Sequence, residues 1–554
     1  MKKFAFLLII IAAGYSCGKD DGGSPAPPPP PAALQIRSQS VDGITGSDFN
    51  NVKLKPAIRF AFSAPVNKTT APIAVGFINA STAGAVAYSL QWSNGDSVML
   101  VQPTDNLKGL EIYVLTVSTQ LKSVAGGALS SSTDVRLKTQ IDSVPKFPAI
   151  SNDSLLSLVQ KQTFKYFWEF GHPVSGLARE RNSSGDLVTS GGSGFGIMSI
   201  VAAINRGFIT RQQGVDRLNT ITDFLLNKAQ RFKGAYPHWL NGVTGVVIPF
   251  SANDNGADLV ETSFLAMGLL TARQYFDGGS AAETTIRSRI NTIVDGIEWN
   301  WFRKTNENVL YWHWSPDKGW TMNLKIQGWN ECLVTYVMAA SSKNYSIPAE
   351  VFQNGFARNG AMRNGKTFYG YTLPLGEDNG GPLFYSHYSF MGIDPNGLTD
   401  SYANYWTQQV SHSKINYEYC KQNPQGRYGY SDSSWGLTAS DIPGGYTASS
   451  PTNDVGVIAP TAAISALPYA PQESMKAIRF FYYTLGDKLW KEYGFVDAFK
   501  LSDPWFASSF LAIDQGPQIV MIENYRSKLL WQLFTSCPEV KAGMKKLGFS
   551  APYL

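Results

Sequence analysis

The sequence predicts two domains: an N-terminal all-β sandwich, then an all-α domain of the (α/α)6-barrel type. Three observations carry this reading. Between residues about 34 and 141, apolar residues alternate with others, as Ile58, Phe60 and Phe62 do with Arg59 and Ala61, the period of a half-buried strand. From Leu155 onward the period lengthens to that of a helix, with Leu156, Val159, Thr163, Phe167 and Phe170 along one face. About a dozen such stretches follow, joined by long loops rich in Gly, Tyr and Trp. Paired antiparallel helices in that number suggest a barrel of helix pairs, and long loops in a compact domain are usually functional.

Residues 1–17 have the form of an export signal. Lys2 and Lys3 precede the apolar run Phe4 to Ala13, which is too short to span a bilayer. Small residues then lead to Cys17, which suits a lipoprotein signal whose cysteine is lipidated, although Gly14-Tyr15-Ser16 departs from the usual box. Gly18-Lys19-Asp20-Asp21 resembles the signal that sends some lipoproteins to the outer face of the outer membrane; ordinary secretion, with a periplasmic protein, is the alternative. Residues 18–33 form a tether, stiffened as polyproline II by Pro27 to Pro31.

Further strands are expected at Ser97–Val101, Ile112–Val117 and Val135–Leu137, separated by Gly, Asn, Asp and Ser clusters. No catalytic constellation lies among them. Residues 142–154, with Pro145 and Pro148, form a linker to the helical domain at 155–554. There Gly192 to Gly196 opens a helix that ends at Gly207, its glycines reading as a tight turn that faces the cleft. Thr210 to Gln213 is a capping box, and an acidic helix covers about 257–275. Later helices are expected at about 282–302, from Glu331, and at about 402–418, 460–468, 472–490, 505–513, 518–535 and 538–547.

Composition excludes several functions. The chain is only 16% charged with a net charge of +5, which suits neither a nucleic-acid binder nor a disordered segment. Cys332, Cys420 and Cys537 lack disulfide or zinc spacing and read as buried thiols. No Gly-x-Ser-x-Gly elbow, His-Glu-x-x-His or phosphate-binding loop occurs. Of 14 Trp, only Trp92 precedes the helical domain. Tryptophan fills cores, but sugar rings also lie on it.

The chemistry concentrates at Asp254, Asp258 and Glu261, answered by Gly328-Trp329-Asn330-Glu331. Carboxylates at i, i+4 and i+7 share one helix face, yet Leu259, Val260, Phe264 and Leu265 around them belong to a core. A cleft that uses several carboxyls is one explanation; a helix start that favours acids is another, and the trio also suits Ca²⁺. Glycoside hydrolysis needs one protonated and one ionised carboxyl about a single bond. Glu331, between Trp329-Asn330 and an apolar helix, suits the protonated role; Asp497, Asp514 and Glu523 are further acids.

Gly194-Phe195-Gly196-Ile197-Met198, Tyr236-Pro237-His238-Trp239, Asp254 through Phe264, Tyr311-Trp312-His313-Trp314-Ser315-Pro316, Gly328-Trp329-Asn330-Glu331-Cys332 and Ala512-Ile513-Asp514-Gln515-Gly516-Pro517 with Met521 to Arg526 form a set. Together they resemble the glucoamylase-like domain of glycoside hydrolase family 144. Residues 34–141 resemble a bacterial Ig-like domain, on Phe62 to Val66, Leu110 to Val117, Ala125-Gly126-Gly127 and Leu137-Lys138-Thr139.

The resemblance implies an (α/α)6 barrel that hydrolyses β-1,2-glucan with inversion and without a cofactor or metal. It maps acidic site residues onto Asp254, Asp258, Glu261 and Glu331. Glu331 is expected as the acid. Asp514, in what reads as a loop that leaves room for a water, is expected as the base, with Glu261 as a further catalytic carboxyl. Asp254, Asp258, His238, Trp239, His313, Trp314, Trp329, Gln515 and Glu523 are expected to bind sugar. An exo-acting or other-linkage β-glucan hydrolase, and a non-catalytic glycan-binding lipoprotein, are the alternatives. A monomer anchored to the membrane through Cys17 completes the expectation.

Overall fold

A computed structural model describes residues 27–554. The export signal, Cys17 and the start of the tether lie outside the described residues. Pro27 to Pro31 are exposed and in no regular element. The chain divides into two compact units between Ile141 and Asp142.

The first unit is a sandwich of two sheets. One sheet has the order β2 (Ile44–Thr45), β1 (Ile36–Val41), β4 (Ile58–Phe62), β7 (Val98–Pro103), β6 (Tyr88–Ser93). The other has β3 (Asp48–Val52), β9 (Thr133–Thr139), β8 (Ile112–Val117), β5 (Val75–Asn79), with β3 parallel to β9 and the remaining pairs antiparallel. The alternation read from the sequence sets the inner faces: Ile58, Phe60 and Phe62 point inward and join Met99, Val101, Leu115, Val117 and Leu137 in one core.

The second unit is helical. Its longer helices are α1 (Asn152–Trp168), α2 (Ser190–Asn205), α3 (Arg211–Asn227), α4 (Leu259–Tyr275), α5 (Ala281–Asp295), α6 (Leu333–Ser341), α7 (Tyr405–Gln422), α8 (Pro460–Ser465), α9 (Pro471–Arg479), α10 (Ala512–Ser527), α11 (Leu529–Ser536) and α12 (Pro538–Lys546). Helix α2 is buried along nearly all its length, packed against both α4 and α10; α4 in turn meets α6, and α10 meets α8. The capping box forms as read: the Thr210 hydroxyl accepts from Gln213 N–H and the Gln213 side chain accepts from Thr210 N–H.

Several expectations are corrected. The Gly-rich run is the first turns of α2, not a turn. Its glycines serve close packing, since a methyl on Gly194 would strike the Phe264 carbonyl of α4. The stretch expected as helix at 505–513 is instead a short strand, Trp505–Phe506, paired with Phe499–Lys500, and a loop up to α10. Residues 518–535 break into α10 and α11 at Lys528, which adopts the left-handed region with φ 60°. Helix α5 ends at Asp295, and the predicted helix at 472–490 divides into shorter turns after Arg479. Helix α4 begins at Leu259, so of the acidic trio only Glu261 lies on it.

Candidate active site

The trio is assembled by a helix start. Asp258 pairs through a short bridge with His313 and is the residue before α4; its Oδ1 accepts from the N–H groups of Val260 (3.0 Å) and Glu261 (2.9 Å). These are donors that the helix cannot itself satisfy. The helix-start explanation therefore holds for Asp258, and its second oxygen remains for other work. That oxygen lies 3.1 Å from His238 Nδ1 and 3.6 Å from His313 Nε2. Asp254 is buried too, with Oδ2 3.4 Å from His313 Nε2. Burial opposes ionisation of Asp258, but the two imidazoles outweigh it and hold the carboxyl below its usual range. Burial likewise opposes charging of His238, yet the charges of Glu261, Asp258 and Asp254 push it up to about 9. Ligand atoms of His238, Asp254 and Asp258 lie within 4.8 Å of one another, a set that suits a cation. The raised pKa of His238 also places positive charge among these carboxyls.

Glu261 sits in the first turn of α4 and faces the start of α2. Its Oε2 accepts from Gly191 N–H at 2.8 Å and from the Thr189 hydroxyl at 3.3 Å. A side chain on Gly191 would occupy the place of this carboxyl. Burial raises the Glu261 pKa, and the charge of His238 pulls against that rise. Glu331 lies just before α6 and is half-buried; burial, with the nearby charges of Glu261 and Asp258, pushes it up to about 7.

Glu261 and Glu331 line one cavity of about 470 Å³. His238, Trp239, Phe250, Trp312, Tyr388 and Tyr446 supply aromatic wall, and Glu180 and Arg181 supply charge. Phe250 stacks on His238 with ring centres 4.3 Å apart. Trp239 Nε1 is buried and makes no hydrogen bond among the described residues.

Not every expected residue reaches this cavity. Leu511 and Ile513 line it, but Asp514 does not. The Asp514 carboxyl is fully buried beside Asp497, and burial and that neighbour's charge raise its pKa well above the carboxylate range. Position 514 is also in the first turn of α10, not in a loop. Trp329 packs in the core against Phe390 and Tyr405, and Trp314 packs against Trp301 and Trp320. Gln515 donates to the Tyr493 carbonyl. Glu523 is buried in an ion pair with Arg206 at 2.6 Å. His313 lies outside the lining, with Nε2 3.4 Å from Asp254 and 3.6 Å from Asp258.

Glu180, Arg181, Phe250, Tyr388 and Tyr446 line the cavity without having been singled out. Arg179-Glu180-Arg181 is a charged run in a chain with few charges, which was a usable signal; nothing local marks Phe250 or Tyr388.

The helical unit matches the glucoamylase family model (Glycoamylase) over residues 323–538, and the sandwich matches the bacterial Ig-like domain model over 41–139. An endo-β-1,2-glucanase from Chitinophaga pinensis, solved with sophorotriose and glucose, is 51% identical; the match covers 73% of this chain and 100% of that one, with a TM-score of 0.72. The chain belongs to glycoside hydrolase family 144. A β-1,2-glucanase from Parabacteroides distasonis is 38% identical, over 93% of this chain and 73% of that one, with a TM-score of 0.70. A curated exo β-1,2-glucooligosaccharide sophorohydrolase (non-reducing end) from the same organism is 45% identical over 442 residues, 76% of this chain. The chain spans 60% of the length of that curated relative. The family 144 unit here is therefore the helical one, with the Ig-like unit preceding it.

Proposed function

We propose that this chain hydrolyses β-1,2-glucan to sophoro-oligosaccharides in the cavity shared by Glu331 and Glu261. The observation that carries the reading is that cavity: two carboxyls with different surroundings, among aromatic side chains that suit sugar faces. Glu331 has a pKa near 7 and keeps its proton at mildly acidic pH, so it donates to the departing glycosidic oxygen. Glu261, which accepts from Gly191 N–H at the start of α2 and faces the charge of His238, is the carboxyl suited to take a proton from water. Water attacks the anomeric carbon on the side opposite the leaving group, and the bond to the glycosidic oxygen breaks. The product is the α-anomer from a β-linked substrate. Asp514, expected as base, does not line the cavity, and burial beside Asp497 opposes its ionisation, so Glu261 takes that place. Asp258 and His313 position His238, and the chemistry requires no metal. Proton NMR during early hydrolysis tests the stereochemistry: α-anomer first is expected, and β-anomer first would overturn inversion.

Attack within the chain is favoured by the 51% identity to an endo-acting enzyme. The 45% identity to an exo-acting sophorohydrolase favours a second reading, release of sophorose from the non-reducing end. Chromatography of early products separates them, since an exo mode yields sophorose alone. The succession of packed helices α4, α2 and α10, extended by α6 and α8, supports closure of the helical unit as an (α/α)6 barrel. The features of residues 1–21 support lipidation at Cys17 and anchoring at the outer-membrane surface.

A further inference from the structure

A second cavity, of about 570 Å³, adjoins the first and shares Arg181 and Tyr446 with it. Each is of ligand size. Three loops build the second cavity: the segment after Arg181, the hairpin of Ala439–Ile442 and Gly445–Ala448, and the stretch from Trp505 to Ser509.

These loops are fastened to one another. Arg181 reaches both carboxylate oxygens of Asp441 at 3.2 and 3.3 Å. The Ser509 hydroxyl donates to Asp441, and Asp441 N–H donates to Asp497 at 2.7 Å. The Asn182 side chain donates to the Ser508 carbonyl at 3.0 Å and accepts from Phe510 N–H at 3.1 Å. The walls are thus held in place before any ligand enters, which lowers the ordering cost of binding.

The lining also states a chemistry. Trp505, Phe506 and Tyr446 offer aromatic surface, and Ser183 and Ser508 offer hydroxyls. The cation present, Arg181, is already matched by Glu180 and Asp441, so an anionic ligand gains little there. Aromatic faces beside neutral hydrogen-bonding groups suit a sugar chain. The two cavities share Arg181 and Tyr446 in their walls and so lie side by side, near enough for one chain to reach both.

We propose that the second cavity grips the glucan beyond the sugars held at Glu331, with Trp505 as its aromatic face, so that chain length is read there. This rests on the function proposed above. The test compares wild type with Trp505→Ala and Trp505→Phe on long β-1,2-glucan and on sophorotriose. Trp505→Ala is expected to raise KM for long glucan about tenfold, with kcat unchanged and sophorotriose turnover unaffected; Trp505→Phe is expected to restore most of the loss. Titration of long glucan into Glu331→Gln with and without Trp505→Ala, in protein of matched Tm, reads the same loss as binding alone. Equal losses on both substrates, or none on either, overturn the proposal while the proposed hydrolysis stands. A wild type that does not turn over β-1,2-glucan overturns both.

Discussion

At the scale of residues, the proposed hydrolysis turns on protons. Glu331→Gln keeps the shape but removes the donated proton, and activity is expected to fall by about 10²–10⁴-fold. The same change has a stability consequence with a definite sign. The Glu331 pKa is raised from 4.5 to about 7 on folding. The folded state therefore binds more protons than the unfolded one between those values, and stability falls as pH rises through that window. Glu331→Gln lacks this loss, so its Tm relative to wild type is expected to be higher at pH 8 than at pH 4; thermal scans at both pH values check it. In wild type, kcat is expected to decline above pH 7 as the acid ionises. Asp514 supplies a contrast: burial and the charge of Asp497 oppose its ionisation and it does not line the cavity, so the neutral amide of Asp514→Asn is a mild change. It is expected to keep much more activity than Glu261→Gln, measured under the same conditions.

At the scale of elements, helix ends do the positioning. Asp258 is both the cap of α4 and the partner of His238. Asp258→Ala is expected to lose about 0.5–2 kcal/mol from the cap, with a further cost from imidazoles left without their anion; denaturant unfolding measures it. Asp258→Asn preserves the accepting oxygen and is expected to lose activity more than stability. This dual use explains what the sequence could and could not convey. The acids were legible as a group because three carboxyls among Leu259, Val260 and Phe264 exceed what a helix start alone uses, which is Asp258. Their geometry was not, because i, i+4, i+7 spacing assumes one helix, whereas α4 starts only after Asp258. Trp329 and Trp314 were expected to bind sugar from residue type and the family motifs they sit in. Trp329 is buried against Phe390 and Tyr405, whereas Trp314 keeps part of its ring exposed beside Trp301, and such partners lie far away in sequence.

At the scale of the whole molecule, the change of hydrophobic period near residue 150 was enough to divide the chain, and the strand and helix patterns followed from it. The loops after residue 440 were less legible: Trp505–Phe506 pairs as a strand because a partner at Phe499–Lys500 meets it, which no local propensity announces. The sandwich has its own core and supplies none of the cavity residues described, so a chain beginning at Asn152 is expected to match the full chain in kcat on soluble glucan. Hydrolysis of β-1,2-glucan through Glu331 is decided by reducing-sugar release by the purified wild type and Glu331→Gln on β-1,2-glucan, laminarin, barley glucan and starch. Release by the wild type on β-1,2-glucan alone, nearly abolished in the variant, is the expected result; equal activity of the variant, or preference for another glucan, would contradict it.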